Sequence, residues 1–113
     1  LTRVGTGPMP GELGAEETKK KGWAEFGTVT GRPRRAAEFD FNLARRAVML
    51  NSATQIAITK LDVRFPECSG VKSMNELSGN AKSFIKNIEE KLKVSVTLIG
   101  TGPLVDDVVD LRT

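Results

Sequence analysis

Residues 25 to 35 read EFGTVTGRPRR, in which the small-residue bend Gly27, Thr28, Val29, Thr30, Gly31 runs directly into Arg32, Pro33, Arg34 and Arg35. Backbone amides and hydroxyls in such a bend can donate to a carboxylate, and Gly31 permits close approach of the ligand. Arg32 and Arg34 add planar guanidinium forks suited to carboxylate, phosphate or ribose oxygens, and Pro33 stiffens the chain between them. Arg35 is free to face elsewhere. The same stretch also reads as a basic surface loop bonded to helix C-termini, or as a nonspecific contact for nucleic acid. With no Tyr, one Trp and five Phe, the chain has few platforms for stacking bases, so small anions fit the stretch better than a polynucleotide.

A second candidate is TKLD, Thr59 to Asp62. An Asp two residues after a Lys at a strand end suits guanine: its carboxylate can accept both the ring N1 hydrogen and the exocyclic amine, while the Lys stem packs along the base. Adenine offers no such pair of donors. The plainer reading is a solvated Lys-Asp pair closing a strand. A third stretch, Gly100-Thr101-Gly102-Pro103, either closes over a base with exposed backbone amides or is an ordinary turn.

The elements that must position these residues follow from periodicity. Residues 1 to 14 hold too many Gly and Pro for helix or strand and read as an irregular loop. Glu16 to Lys21 is a short polar helical turn ended by Gly22. Asp40 can cap a helix reaching about Asn51, with Leu43, Ala44, Ala47, Val48 and Leu50 as its apolar stripe. Gln55 to Lys60 (QIAITK) is β-branched and apolar, a short buried strand. A loop over 64 to 79 precedes a helix from Asn80 to Lys93, where Phe84, Ile85, Ile88 and Leu92 recur at helical spacing. Val94 to Ile99 (VSVTLI) is a second strand. Helix, strand, helix, strand predicts α/β with parallel strands. TKLD and GTGP then leave the C-terminal ends of those strands, where open α/β sheets bind ligands.

Composition narrows the classes. A chain of 113 residues suits one small domain or part of a larger one. Lys and Arg total 17 against 14 acidic residues, a formal +3, too slight for a nucleic-acid coat. The single Cys68 excludes an intrachain disulfide framework, and its expected state is a buried or idle thiol in a reducing compartment, cytoplasm by default. No apolar run is long enough to span a bilayer, so no membrane partner is expected. The chain opens on Leu1 and a Gly/Pro-rich stretch, which is expected to be a cut edge.

VGTGPMPGEL (4 to 13), EFGTVTGRPRR (25 to 35), ARRAVMLNSATQIAITKLD (44 to 62), SGVKSMNELSGNAKSFIKNIEEKLKVSV (69 to 96) and IGTGP (99 to 103) together resemble, in order and context, the C-terminal part of adenylosuccinate synthetase. The resemblance implies a P-loop-type, mostly parallel α/β sheet with flanking helices, of which residues 1 to 113 form the C-terminal portion of one domain. It implies a GTP-dependent ligase of purine biosynthesis that joins L-aspartate to inosine monophosphate (IMP), giving adenylosuccinate, GDP and phosphate. By the same resemblance, Thr28, Val29, Thr30, Gly31, Arg32 and Arg34 form the aspartate loop. Val4 and Arg32 contact IMP, and Arg34, Lys60, Leu61, Asp62, Gly100, Thr101 and Gly102 contact GTP. The family is a cytoplasmic homodimer that needs Mg2+, and it carries no implied role in nucleic-acid binding.

The sequence departs from the bacterial pattern at Val29, usually Thr, and Pro33, usually Arg, so altered aspartate contacts are expected. Only a few residues separate Asp62 from Gly70, as in compact archaeal and phage-type members, some of which use deoxyguanylate (dGMP) in place of IMP. The family's phosphate loop, catalytic aspartate, histidine and magnesium ligands belong to an N-terminal region. This chain has no His and no Gly-x-x-x-x-Gly-Lys-Ser/Thr cradle, so no catalytic or metal residue is assigned in it and the chain alone is expected to be inactive. Two readings from other classes stand beside this one: a guanine-nucleotide binding module without catalysis, and a basic domain that contacts nucleic acid.

Overall fold

The computed structural model describes residues 6 to 112. It divides into two compact units, one up to Asp40 and one from Phe41 onward.

The first unit is mostly irregular, as its glycines and prolines require, and is organised around one short helix, α1 (Ala15–Lys20). Glu16 and Glu17 lie in its first turn and Lys19 and Lys20 in its last, matching the helix dipole at both ends. Thr18 is buried on its inner side, and its hydroxyl donates to the Gly14 carbonyl at 2.8 Å. The helix stops at Gly22, whose φ of +73° suits glycine. Leu13 then donates to Ala36 at 2.9 Å, and Lys21 pairs with Glu38 at 3.0 Å, closing the unit on itself.

The second unit carries α2 (Phe41–Asn51), β1 (Gln55–Ile58), α3 (Leu61–Arg64), α4 (Gly79–Leu92), β2 (Ser95–Gly100) and β3 (Val108–Asp110), with 3-10 turns at Pro66–Cys68 and Met74–Glu76. α4 begins where Ser78 caps it, the hydroxyl accepting from the Ala81 amide at 3.2 Å. It ends at Lys93, which turns into the left-handed region. Its inner face buries Ala81, Ile85, Ile88 and Leu92. Together with Val96, Ile99, Val109, Leu61 and Leu77 these make the core, each large aliphatic contributing roughly 1.5–3 kcal/mol. Cys68 is fully buried, its sulfur 3.7 Å from the Ser78 hydroxyl.

The sheet has the order β1-β2-β3. β1 and β2 are parallel, as the α/β reading requires, with Gln55 opposite Ser95 and Ile58 opposite Ile99 and the register shifting by one residue between Ile56 and Ala57. β2 and β3 are antiparallel, with Leu98 opposite Asp110. The described sheet is therefore mixed. β3 was not expected from the sequence, because three residues carry no readable alternation. β1 stops at Ile58, two residues short of the expected end, because the chain turns there into α3.

The apolar stripe expected on α2 is only partly covered. Ala44 is buried, Ala47 and Val48 are half-buried, and Leu43 and Leu50 are exposed. Ala44 is the small residue that lets α2 approach α4, where Arg45 donates to the Lys91 carbonyl at 3.3 Å.

Candidate functional site

The stretch EFGTVTGRPRR folds into a tight hairpin within the first unit. Phe26 and Pro33 are bridged in antiparallel fashion. The loop is closed by Gly27 N–H to the Arg32 carbonyl at 2.9 Å and by Arg34 N–H to the Glu25 carbonyl at 2.7 Å. Gly31 donates back to the Gly27 carbonyl at 2.9 Å, with the φ of +66° that this turn demands. The Thr30 hydroxyl accepts from the Arg32 amide at 3.3 Å, which orders the approach to the arginines. Thr28, Val29 and Thr30 form an exposed tip, and Val29 is 96% exposed, an apolar side chain at the place where a hydroxyl would be most accessible.

The three arginines divide sharply. Arg35 is spent on internal contacts of the unit: its Nε donates to the Glu12 carboxylate, and its two terminal nitrogens donate to the Thr6 and Gly7 carbonyls at 3.0 Å each. Arg32 and Arg34 are exposed, and neither side chain has a hydrogen-bond or ion-pair partner among the described residues. Two guanidinium forks carried 2 positions apart on a hydrogen-bonded hairpin, with no described counter-charge, are a ready receptor for an anion with more than one oxygen pair. The third is a structural brace.

In the second unit, TKLD joins β1 to α3. Lys60 adopts φ 59° and ψ 37°. Of the other two non-glycine residues with positive φ, Ser52 follows α2 and Lys93 ends α4. Lys60 instead lies between a strand and a helix, where no helix end calls for that conformation, so the surrounding structure must impose it. Leu61 is 1% exposed and anchors α3 in the core. That anchor leaves Asp62, half-buried, in the first turn of α3 beside the exposed Lys60. Arg64 braces the other end of α3, its guanidinium 4.7 Å from the Phe84 ring centroid.

GTGP leaves β2 at the same end of the sheet. A methyl on Gly100 would lie 3.6 Å from the Ile58 carbonyl oxygen and 3.7 Å from the Lys60 nitrogen, so the two loops abut backbone to backbone. Thr101 is fully buried and its polar groups are taken up by the chain. Its hydroxyl donates to the Val71 carbonyl at 2.7 Å, its amide to the Asp107 carbonyl at 2.9 Å, and its own carbonyl accepts from Gly70 at 3.0 Å. Thr101 therefore holds the turn in place. The Gly102 amide, by contrast, makes no hydrogen bond among the described residues. Asp62, Lys60 and the turn thus gather at one end of the parallel pair. Val4 lies outside the described residues. Sequence reasoning missed Asp107, whose side chain sits directly behind Gly102; no motif marks it.

No group of three or more His, Cys, Asp or Glu able to hold a metal occurs among the described residues. No described helix is long and apolar enough to cross a membrane.

Comparison with known proteins identifies the family. The family model described as adenylosuccinate synthetase matches residues 1 to 68. The adenylosuccinate synthetase of Methanococcus vannielii is 54% identical over 111 residues, 98% of this chain and 33% of the relative. That of Methanocaldococcus jannaschii is 55% identical over 98% of this chain and 32% of the relative. The chain therefore spans about a third of the length of the relatives it matches. The solved structure titled fully ligated adenylosuccinate synthetase from Plasmodium falciparum superposes with a TM-score of 0.81 at 27% identity, covering 99% of this chain and 38% of that one. The arginine hairpin lies within the matched span, the relatives named extend the match through TKLD and GTGP, and on these grounds the chain belongs to the adenylosuccinate synthetase family.

Proposed function

We propose that this chain supplies the aspartate-holding loop and the guanine-reading segment of a GTP-dependent ligase that joins L-aspartate to IMP. The observation that carries the proposal is the pair Arg32 and Arg34, exposed and unpaired on a hairpin while their neighbour Arg35 is fully engaged. Surface arginines without a task are ordinarily mobile. The main chain that carries these two is closed into a hydrogen-bonded hairpin.

In this reading the amides and hydroxyls of Thr28 to Gly31 and the Arg32 fork take the two carboxylates of aspartate. Arg32 also reaches the ribose of IMP, and Arg34 reaches the phosphates of GTP. Val4 belongs to the IMP side. Asp62 accepts from guanine N1–H and the 2-amine, the Lys60 stem lies along the base, and the Gly102 amide donates to the guanine O6. Leu61, Gly100 and Thr101 fix those groups in place. The reaction brings three anionic reactants together. The γ-phosphoryl of GTP passes to the 6-oxygen of IMP, and the aspartate amine then displaces phosphate at C6. Fixed guanidinium groups offset the repulsion among these anions without reorganising during the reaction.

Magnesium in this family neutralises charge on the transferring phosphoryl group. The described residues offer no group of three or more His, Cys, Asp or Glu to hold it, and its ligands would come from another part of the polypeptide. Both units are read as parts of one synthetase domain, and the intact enzyme as a cytoplasmic homodimer.

The test is adenylosuccinate formation from IMP, aspartate and GTP by the polypeptide that carries this segment, with the 113-residue chain alone giving none. Absence of product from the longer polypeptide would sink the proposal. So would turnover by the chain alone.

A further inference from the structure

Deepening the guanine-reading role proposed above, we infer that Asp107 is a positioning residue that sets guanine-over-adenine preference by aiming the Gly102 amide. Three observations carry it. Asp107 closes the turn after β2 twice through backbone, its amide donating to Leu104 at 3.0 Å and its carbonyl accepting from Thr101 at 2.9 Å. Its side chain closes the turn a third time, Oδ2 accepting from the Leu104 amide at 3.1 Å. Finally, the carboxyl group fills the space behind Gly102: a methyl there would overlap Oδ2 and lie 2.9 Å from Cγ.

Gly102 is thus backed by the Asp107 carboxylate, two residues beyond the Gly100 that abuts the Lys60 backbone, with its N–H left unpaired among the described residues. A lone N–H donor discriminates by what it meets at position 6 of a purine. Guanine and hypoxanthine present a carbonyl acceptor there, and adenine presents an amine, which is a donor. Asp62 reads a different edge, since the 2-amine is carried by guanine and not by hypoxanthine. Asp107 therefore controls the 6-position and Asp62 the N1–H and 2-amine edge, of which only the 2-amine separates guanine from hypoxanthine. The neighbouring carboxylate Asp106 is exposed and has no described partner, so it carries the same charge without the role.

The experiment is calorimetric titration of the full chain and its variants with GDP, IDP and ADP, with hydrogen exchange of the Leu104 amide as a nucleotide-free readout. Asp107→Ala is expected to weaken GDP and IDP together by about tenfold, as loss of one aligned hydrogen bond does, and to leave ADP unchanged. The GDP to ADP ratio falls while the GDP to IDP ratio holds. Leu104 exchange should quicken in Asp107→Ala alone. Asp107→Asn, whose amide oxygen can still accept, should restore both readouts, and Asp106→Ala should match wild type. A GDP to IDP ratio that falls with the GDP to ADP ratio would place the effect at Asp62 and overturn the inference. So would a wild-type preference that survives Asp107→Ala. A wild type that binds GDP no better than ADP overturns the guanine-reading role itself, and the specificity role with it.

Discussion

Arg35 and Glu12 form an ion pair across 23 positions of sequence, and that pair separates the structural arginine of the hairpin from the two available for ligand. The pair is partly exposed, with 41% and 35% of the side chains accessible, so its Coulomb contribution is small. The two carbonyls it also satisfies, Thr6 and Gly7, matter as much.

Arg35→Ala should therefore destabilise the first unit by about 1–2 kcal/mol, since the weak ion pair and the two hydrogen bonds to Thr6 and Gly7 are all solvent-exposed and screened. Arg32→Leu should leave stability within about 0.5 kcal/mol, because it removes no described contact. Denaturant midpoints of the two variants decide the matter. Equal losses would mean that Arg32 is also a structural brace.

In the longer polypeptide, Arg32→Leu should raise the aspartate requirement by roughly tenfold or more and the GTP requirement much less, since a bidentate carboxylate contact is lost. Initial rates at varied aspartate and varied GTP measure both. An equal rise in the two would contradict the assignment of Arg32 to aspartate and IMP.

Asp62→Asn replaces one of two acceptors with a donor and leaves the base-facing edge mismatched. GDP affinity should fall by about 10- to 100-fold, corresponding to one or two charge-assisted bonds, with little change for ADP. Titration of GDP and ADP against the variant reads this directly.

What the sequence made legible was what local pattern encodes. The spacing of Phe84, Ile85, Ile88 and Leu92 located α4 to within a residue at each end, and the β-branched runs located β1 and β2. The parallel pairing placed TKLD and GTGP at one end of the sheet, as the order of elements implied. Long-range and short features were not legible. β3 has 3 residues and acquires strand geometry only by pairing with β2. The left-handed Lys60 is imposed by the strand-to-helix turn. Asp107 gains its meaning from the space behind Gly102, 5 positions away, which no spacing rule marks. The exposure of Leu43 and Leu50 shows the converse: helical period identifies an apolar face, but not what packs against it.

Asp110 accepts from its neighbour two residues on, Arg112, through the backbone amide at 3.0 Å and the guanidinium at 2.9 and 2.6 Å. Side-chain hydrogen bonding to Arg112 is the main cause that lowers the Asp110 pKa from 3.8 to about 2. A carboxylate with a depressed pKa stabilises the fold above its unfolded value, and that contribution fades as pH falls from about 3.8 toward about 2. The group lies at the surface, so the local titration is a sharper observable than global stability. Carbon-13 NMR of the Asp110 carboxyl should give a midpoint near 2 in the wild type and a return toward 3.8 in Arg112→Ala. A wild-type midpoint already at 3.8 would mean that the fork does not hold the carboxylate in solution.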